Sequence, residues 1–170
     1  MSRLIEFYRG TGEDSEGRKL ADLWAFGDDE MEFHHDFIQW MFPLEEPSRF
    51  NFRAPTLSED DIRAFRDDPA LRENLERSFD RFLAFLGLAR EGGKVVPGAD
   101  FEAKREIFLS PDHNWLRITR VLTSLRILGL PEASRALYDA LVGLMRDGRA
   151  RITPETRRYW RDAAPPEGAG

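Results

Sequence analysis

No cysteine occurs among the 170 residues. Disulfides, thiolate metal sites and a cysteine nucleophile are therefore excluded. No run approaches the roughly 18 apolar residues that mark a membrane-spanning helix. The first residues, Met1-Ser2-Arg3-Leu4-Ile5-Glu6, lack the apolar stretch of a signal peptide. Together these absences predict a cytoplasmic chain without a membrane span. Positive charge is not in excess either: 25 basic residues face 31 acidic ones, a formal charge of −6. A general nucleic-acid binder carries a basic face, so no nucleic-acid partner is expected. Phosphate-loop, dinucleotide and nucleophile-elbow patterns are missing. Gly10-Thr11-Gly12 is too short to cradle a phosphate. There is no internal repeat and no low-complexity block.

What the chain does have is bulky apolar material, 13 Phe and 4 Trp, punctuated by helix caps. Apolar residues make up 41% of the sequence, enough for a real core in a chain of this size. Arg9 to Gly17 reads as a loop. Arg18 to Phe26 reads as a short amphipathic helix. Asp28 or Asp29 caps a helix over Glu30–Phe42 that Pro43 stops. Ser58-Glu59-Asp60-Asp61 resembles a capping box. Asp68-Pro69, Ser110-Pro111 and Thr153-Pro154 each place a cap before a first-turn proline, and Pro131 opens one more helix. Gly87, Gly129 and Gly148 sit where helices should end. Lys94-Val95-Val96 could be a short strand without an obvious partner, and Phe101 to Leu109 is weakly helical. The prediction is an all-α fold, a compact bundle of about seven to eight mostly short helices. One domain is expected over residues 1–162, with a frayed tail over 163–170.

Two helical stripes are candidates for function. Over Glu30–Phe42, Met31, Phe33, Phe37, Ile38, Trp40 and Met41 form a broad apolar arc that includes His34, which should be buried. Glu32, His35, Asp36 and Gln39 fall on the polar side. Over Ser110–Leu128, His113, Arg117, Arg120 and Ser124 stack at spacings of four, three and four, with Asn114 beside them and apolar residues on both flanks. Arginine forks among apolar neighbours suit a carboxylate or another anion. Three readings of these stripes stay open. They could be paired charges that hold two helices together, a ligand site in a crevice between them, or separate solvated faces. In the first two, one of His35, Asp36 or Gln39 should touch His113, Arg117 or Arg120. A metal is not expected: His34 and His35 project about 100° apart on a helix and cannot chelate together. No cofactor is implied.

The segment Met31-Glu32-Phe33-His34-His35-Asp36-Phe37-Ile38-Gln39-Trp40-Met41-Phe42-Pro43-Leu44 resembles the motif LExxHxYIQWLFPL of the opioid growth factor receptor domain family. Phe50-Asn51 and Ala54-Pro55 match its next stretch. His113-Asn114-Trp115-Leu116-Arg117-Ile118-Thr119-Arg120-Val121-Leu122 is similar to its block HNxLRITRIL. The resemblance covers roughly residues 5–160 and looks like that of the short, stand-alone bacterial members. Vertebrate members of the family are described as binding an opioid peptide. The resemblance thus implies a receptor-like binding domain, with no catalytic residues to carry over. His35, Gln39, Trp40, His113, Asn114, Arg117 and Arg120 match its motifs; His34 does not.

The leading expectation is a helical module that binds a small anionic or zwitterionic ligand, or a peptide, through His35, Asp36, Gln39, Trp40, His113, Asn114, Arg117 and Arg120. The alternatives are an enzyme using His35 or His113 as an acid–base group, and a protein-interaction scaffold.

Overall fold

The structure is a computed structural model describing residues 2–167. Helices dominate the described residues, ten rather than the expected seven to eight: α1 Arg3–Tyr8, α2 Leu20–Trp24, α3 Asp28–Phe33, α4 Ile38–Met41, α5 Glu59–Asp67, α6 Pro69–Leu86, α7 Phe101–Lys104, α8 Asn114–Ile127, α9 Pro131–Arg146 and α10 Pro154–Ala163. A 3-10 turn, Arg105–Phe108, follows α7. None of these helices is long and apolar enough to cross a membrane. The chain forms two compact units, Met1–Arg81 and Phe82–Gly170, and the division falls inside α6.

In Met1–Arg81 most helices are short, and side chains cap α1, α5 and α6. The Ser2 hydroxyl accepts from Ile5 N at 3.2 Å and starts α1, a helix the sequence pattern did not reveal. The expected capping box forms: Ser58 Oγ accepts from Asp61 N and Asp61 Oδ2 from Ser58 N, both at 3.1 Å. Asp68 Oδ1 accepts from Ala70 N at 3.0 Å beside Pro69, so the cap-and-proline reading holds for α6. The core is aromatic. Tyr8 meets Phe65 edge-on with centroids 5.0 Å apart, and Phe7 lies 5.1 Å from Trp40.

A chain of hydroxyl groups runs through this core. The Tyr8 hydroxyl makes a short hydrogen bond to the Met41 carbonyl and lies 2.9 Å from Ser78 Oγ. Trp24 Nε1 donates to the same Ser78 Oγ at 2.9 Å. A carbonyl only accepts and a phenol carries one proton. The protons are therefore ordered: Trp24 donates to Ser78, Ser78 to Tyr8, and Tyr8 to Met41. One chain of bonds thus joins α2, α6, α1 and α4.

In Phe82–Gly170, Gly87 ends α6 with φ of +79°. Strand β1, Leu88–Glu91, then pairs antiparallel with β2, Lys94–Pro97. This corrects the purely all-α expectation. The partner of Lys94–Val96 is the stretch just before it, and the link is Gly92-Gly93, both at positive φ as a tight hairpin turn requires. The weakly helical reading of Phe101 to Leu109 appears as α7 and its 3-10 turn. Ser110-Pro111 does not cap α8. Asp112 Oδ1 accepts from Asn114 N at 2.8 Å instead, and the helix begins at Asn114. The Thr153-Pro154 start does hold, with Thr153 Oγ1 accepting from Thr156 N at 3.3 Å.

Helices α8, α9 and α10 build the core of this unit. Ile118, Val121, Leu122, Leu125 and Leu128 of the α8 segment are buried, as are Leu137, Leu141 and Leu144 of α9. Ser134 Oγ of α9 donates to Leu122 O at 2.7 Å. Trp160 of α10 is fully buried and donates through Nε1 to Trp115 O at 3.1 Å. Ala163 and Ala164 are also buried, and Arg126 Nε reaches Ala163 O at 2.8 Å, so the chain is still packed where fraying was expected to begin. The rest of that expectation, for residues 168–170, lies outside the described residues.

Two predictions follow from this packing. Burial pushes the Tyr8 phenol well above its ordinary value, since the phenolate would sit away from water. In the unfolded chain the same group ionises near ~10. Its contribution is therefore complete below about pH 10 and is lost as pH climbs towards the raised folded value. Tyr8→Phe should be less stable than the parent near neutrality by about 1 kcal/mol in urea unfolding. The gap between the two should narrow between roughly pH 9.5 and 11; a constant gap would mean the phenol ionises freely in the fold. Separately, a Cβ at Gly87 would stand 2.9 Å from Phe101 Cα, whereas one at Gly92 meets nothing within 4 Å. Gly87→Ala should lower the melting temperature well beyond Gly92→Ala, which carries only the strain of about 1–2 kcal/mol for a left-handed residue.

Candidate functional site

The first motif segment is not one helix. α3 begins at Asp28, where Glu30 Oε1 accepts from Gly27 N at 3.0 Å, and it ends at Phe33. His34 is extended, and α4 starts at Ile38. The break has a physical cause. Carbonyls that a continuous helix would use internally are taken by side chains. The Asp36 carbonyl accepts from Asn51 Nδ2 at 3.3 Å and from Arg18 at 3.4 Å, and the His35 carbonyl accepts from Gln39 Nε2 at 3.2 Å. Those donors replace the lost turn.

The break rotates the two halves apart. Phe37 is buried, but Phe33, four residues earlier, is 77% exposed. His34 is half-buried rather than in the core, with its ring stacked on Phe26 at 5.3 Å. His35 is exposed. Gln39 and Trp40 are buried. Trp40 packs against Phe7, and the Arg3 guanidinium stands 5.4 Å from its ring centre.

Asp36 is held by its own ion pair. Its carboxylate lies 3.1 Å from Arg18, which also pairs with Asp14 at 2.8 Å. Asp14 is buried and accepts from the backbone N–H groups of Glu16 and Arg18, each at 2.9 Å. Sequence reasoning placed Asp14 in a loop and assigned it nothing. Its signal is the spacing Asp14–Arg18 after a glycine-rich turn, too common a pattern to single out.

The second motif segment lies on α8 in Phe82–Gly170. Exposed His113 occupies the N-cap position, with Nδ1 3.7 Å from Asp112. Asn114 is fully buried, and its Oδ1 accepts from Arg117 at 3.3 Å. Arg117 is only 6% exposed, with its guanidinium 6.0 Å from the ring centre of Phe85. Arg120 is half-buried, and this desolvation lowers its guanidinium to about 10. The apolar flank through Ile118, Val121 and Leu125 is buried, while Leu116 on the other side is 58% exposed. The stripe therefore runs along the edge of the core of its unit, charged but largely withdrawn from water.

The model of the opioid growth factor receptor (OGFr) conserved region matches residues 9–148, which include both motif segments. The chain belongs to the opioid growth factor receptor family. It is 38% identical to the mouse opioid growth factor receptor over 114 residues, which are 65% of this chain and 18% of that protein. The rat opioid growth factor receptor is 38% identical over 120 residues, 67% of this chain and 20% of that protein. Mouse opioid growth factor receptor-like protein 1 is 31% identical over 131 residues, 73% of this chain and 28% of that protein. The chain thus spans only a minor part of the curated relatives it matches. No solved structure matches it. As an opioid growth factor receptor domain, the chain carries its two family blocks on different supports: a broken helix in Met1–Arg81 and the core-edge helix α8 in Phe82–Gly170.

The Asp14 carboxylate should prove essential to the first of these. Asp14→Ala leaves Arg18 without its closer partner and two backbone donors without their acceptor. A loss of about 3–5 kcal/mol in urea unfolding is expected. Asp36→Ala, at a more open carboxylate, should cost less than half as much. Equal losses from the two variants would show that the buried pair does not hold this segment.

Proposed function

We propose that this chain is a receptor-like helical binding module for a small anionic or zwitterionic ligand, with a peptide's free carboxylate as the leading chemistry. The observation that carries the reading is the state of Arg120: a guanidinium half out of water at the edge of an apolar helix face, with a lowered proton affinity. A partly desolvated arginine fork gains more from a carboxylate than one in bulk water, because the interaction is less screened. Arg117 and Asn114 serve to orient it. Their mutual hydrogen bond and the Phe85 ring fix the turn of α8 that precedes Arg120. His113, exposed at the helix start, would widen the positive edge whenever it is protonated.

Within Met1–Arg81, taken by itself, His35 and the open edge of Asp36 are the proposed ligand contacts. Gln39 and Trp40 act one step back, Gln39 by holding the His35 carbonyl and Trp40 by packing behind the segment. The mouse and rat relatives are named as receptors for an opioid growth factor, which fits a ligand with peptide termini. A cytoplasmic setting, compatible with the absence of cysteine, is part of the proposal.

The test is a thermal-shift screen of short peptides with free and amidated C-termini, on the parent chain and on Arg120→Gln. The reading expects free-carboxylate peptides to raise the melting temperature. It expects Arg120→Gln to abolish the rise while leaving the ligand-free melting temperature within about 2 °C of the parent, less than 1 kcal/mol for a chain of this size. Suppose instead that Arg120→Gln lowers the ligand-free value by roughly 10 °C, as the loss of a buried charge pair would, and that no peptide stabilises the parent. The arginines would then be a structural network and the binding reading would fall.

A further inference from the structure

The chain's charge is unevenly distributed. Phe82–Gly170 holds 14 basic and 11 acidic residues, a net of +3, while Met1–Arg81 holds 11 basic and 20 acidic, a net of −9. Part of the positive charge gathers on α10, which begins after the last residue of the family match. Arg157 and Arg161 are four residues apart and Arg158 and Arg161 three apart, so the three share one side of the helix. The opposite side carries the buried Trp160 and Ala163. Together with Tyr138 of α9 and Pro154, these three arginines line a concavity of about 410 Å³.

We propose that this cup is a second anion site, one that takes the dianionic phosphate of a small phosphate monoester. Like charges at these spacings repel on a helix, and a bound dianion would remove that cost. The acids nearby offset it only in part: Glu155 accepts from the Tyr159 hydroxyl at 2.8 Å, Asp139 pairs with Arg135 at 3.0 Å, and Asp162 makes a long, exposed ion pair with Arg161 Nε at 3.6 Å. Arg157 is aimed by its own anchor, with Nε donating to Ile152 O at 2.9 Å, which leaves both terminal nitrogens to donate elsewhere. Three planar forks match the three acceptor oxygens of a phosphate ester better than the two of a carboxylate. The Tyr138 ring supplies a half-buried wall for whatever the phosphate is attached to.

Shape and surroundings favour a small ligand over a polymer. A nucleic-acid track needs positive charge over several successive phosphates. Here the three arginines gather at one cup, and Glu155, Asp162 and Asp139 on the same two helices interrupt any longer basic track.

The experiment is isothermal titration of the intact chain with inorganic phosphate and with phenyl phosphate at constant ionic strength, repeated with chloride as a blank. Chemical-shift changes at the arginine Nε–H groups are followed in parallel by NMR. Saturable one-to-one binding is expected, with shifts at Arg157, Arg158 and Arg161 and tighter binding of phenyl phosphate through Tyr138. The exposed double variant Arg158→Gln, Arg161→Gln should keep its melting temperature and lose at least about tenfold in affinity, as two charge-assisted contacts disappear. Arg120→Gln should bind phosphate unchanged, which keeps this site separate from the carboxylate reading of α8. Non-saturable binding, or full affinity in the double variant, would overturn the proposal as an adventitious ion only. Tighter binding of a single-stranded oligonucleotide with a steep salt dependence would overturn it in favour of a polymer surface.

Discussion

Four helices of Met1–Arg81 take their positions from one line of buried hydroxyl and indole hydrogen bonds, from Trp24 through Ser78 and Tyr8 to the Met41 carbonyl. Short helices cannot be stable by themselves, since nucleation costs more than five or six residues return. α1, α2 and α4 have six, five and four residues. They persist because each brings one member of this chain, or a neighbour of one, to the long helix α6. Their polar groups are then satisfied inside an aromatic core, where an orphaned donor or acceptor would cost about 1–3 kcal/mol. The first family block depends on this arrangement. Met41 ends α4 within the block, and Trp40 beside it packs on Phe7, the neighbour of Tyr8.

The same unit shows where reading by periodicity stops. Residues with local partners were legible: the capping box at Ser58, the Asp68-Pro69 start, the Gly87 stop. Each involves residues within three or four positions. The break between α3 and α4 was not legible, because its cause comes from far along the chain. Arg18 and Asn51 are 18 and 15 residues from Asp36, yet they take its carbonyl. A helical wheel assumes that backbone carbonyls stay within the helix. Once they are captured from outside, the wheel predicts the wrong face for everything on one side of the break. Phe33 and His34 were misplaced for this reason, while Phe37 and Trp40, beyond it, were placed correctly in the core.

In Phe82–Gly170 the missed features are of a different kind. The hairpin rests on Gly92-Gly93, a strong local turn signal, but its first strand follows directly on a helix-stopping glycine and looks like linker. The start of α8 was misplaced by three to four residues, because Asp112 does the capping that Ser110 was expected to do. The stripe itself survived these errors. Of its four residues Arg117 and Ser124 are buried on α8, Arg120 is half-buried and His113 at the helix start is exposed. Helical spacing is robust over a continuous helix, and α8 is continuous over 14 residues.

A buried arginine on such a stripe requires an explanation, and the two families of explanation make opposite demands. A structural arginine should be fully enclosed, with partners that fix its whole fork. A recognition arginine should keep part of its fork accessible while its stem is held. Arg117 fits the first description: it is nearly fully buried, bonded to the Asn114 amide and set against Phe85. Arg120, one turn further and half-buried, fits the second. On the proposed reading the two neighbouring arginines divide the labour: Arg117 would set the geometry of the helix edge and Arg120 would meet the anion. Phosphate recognition on α10 would follow a different logic, with three exposed forks around a cup and no enclosed member among them. That difference predicts distinct behaviour towards salt. Contacts at an exposed cup weaken steeply as ions screen them, while a half-desolvated guanidinium on α8 is shielded from that screening by its apolar neighbours.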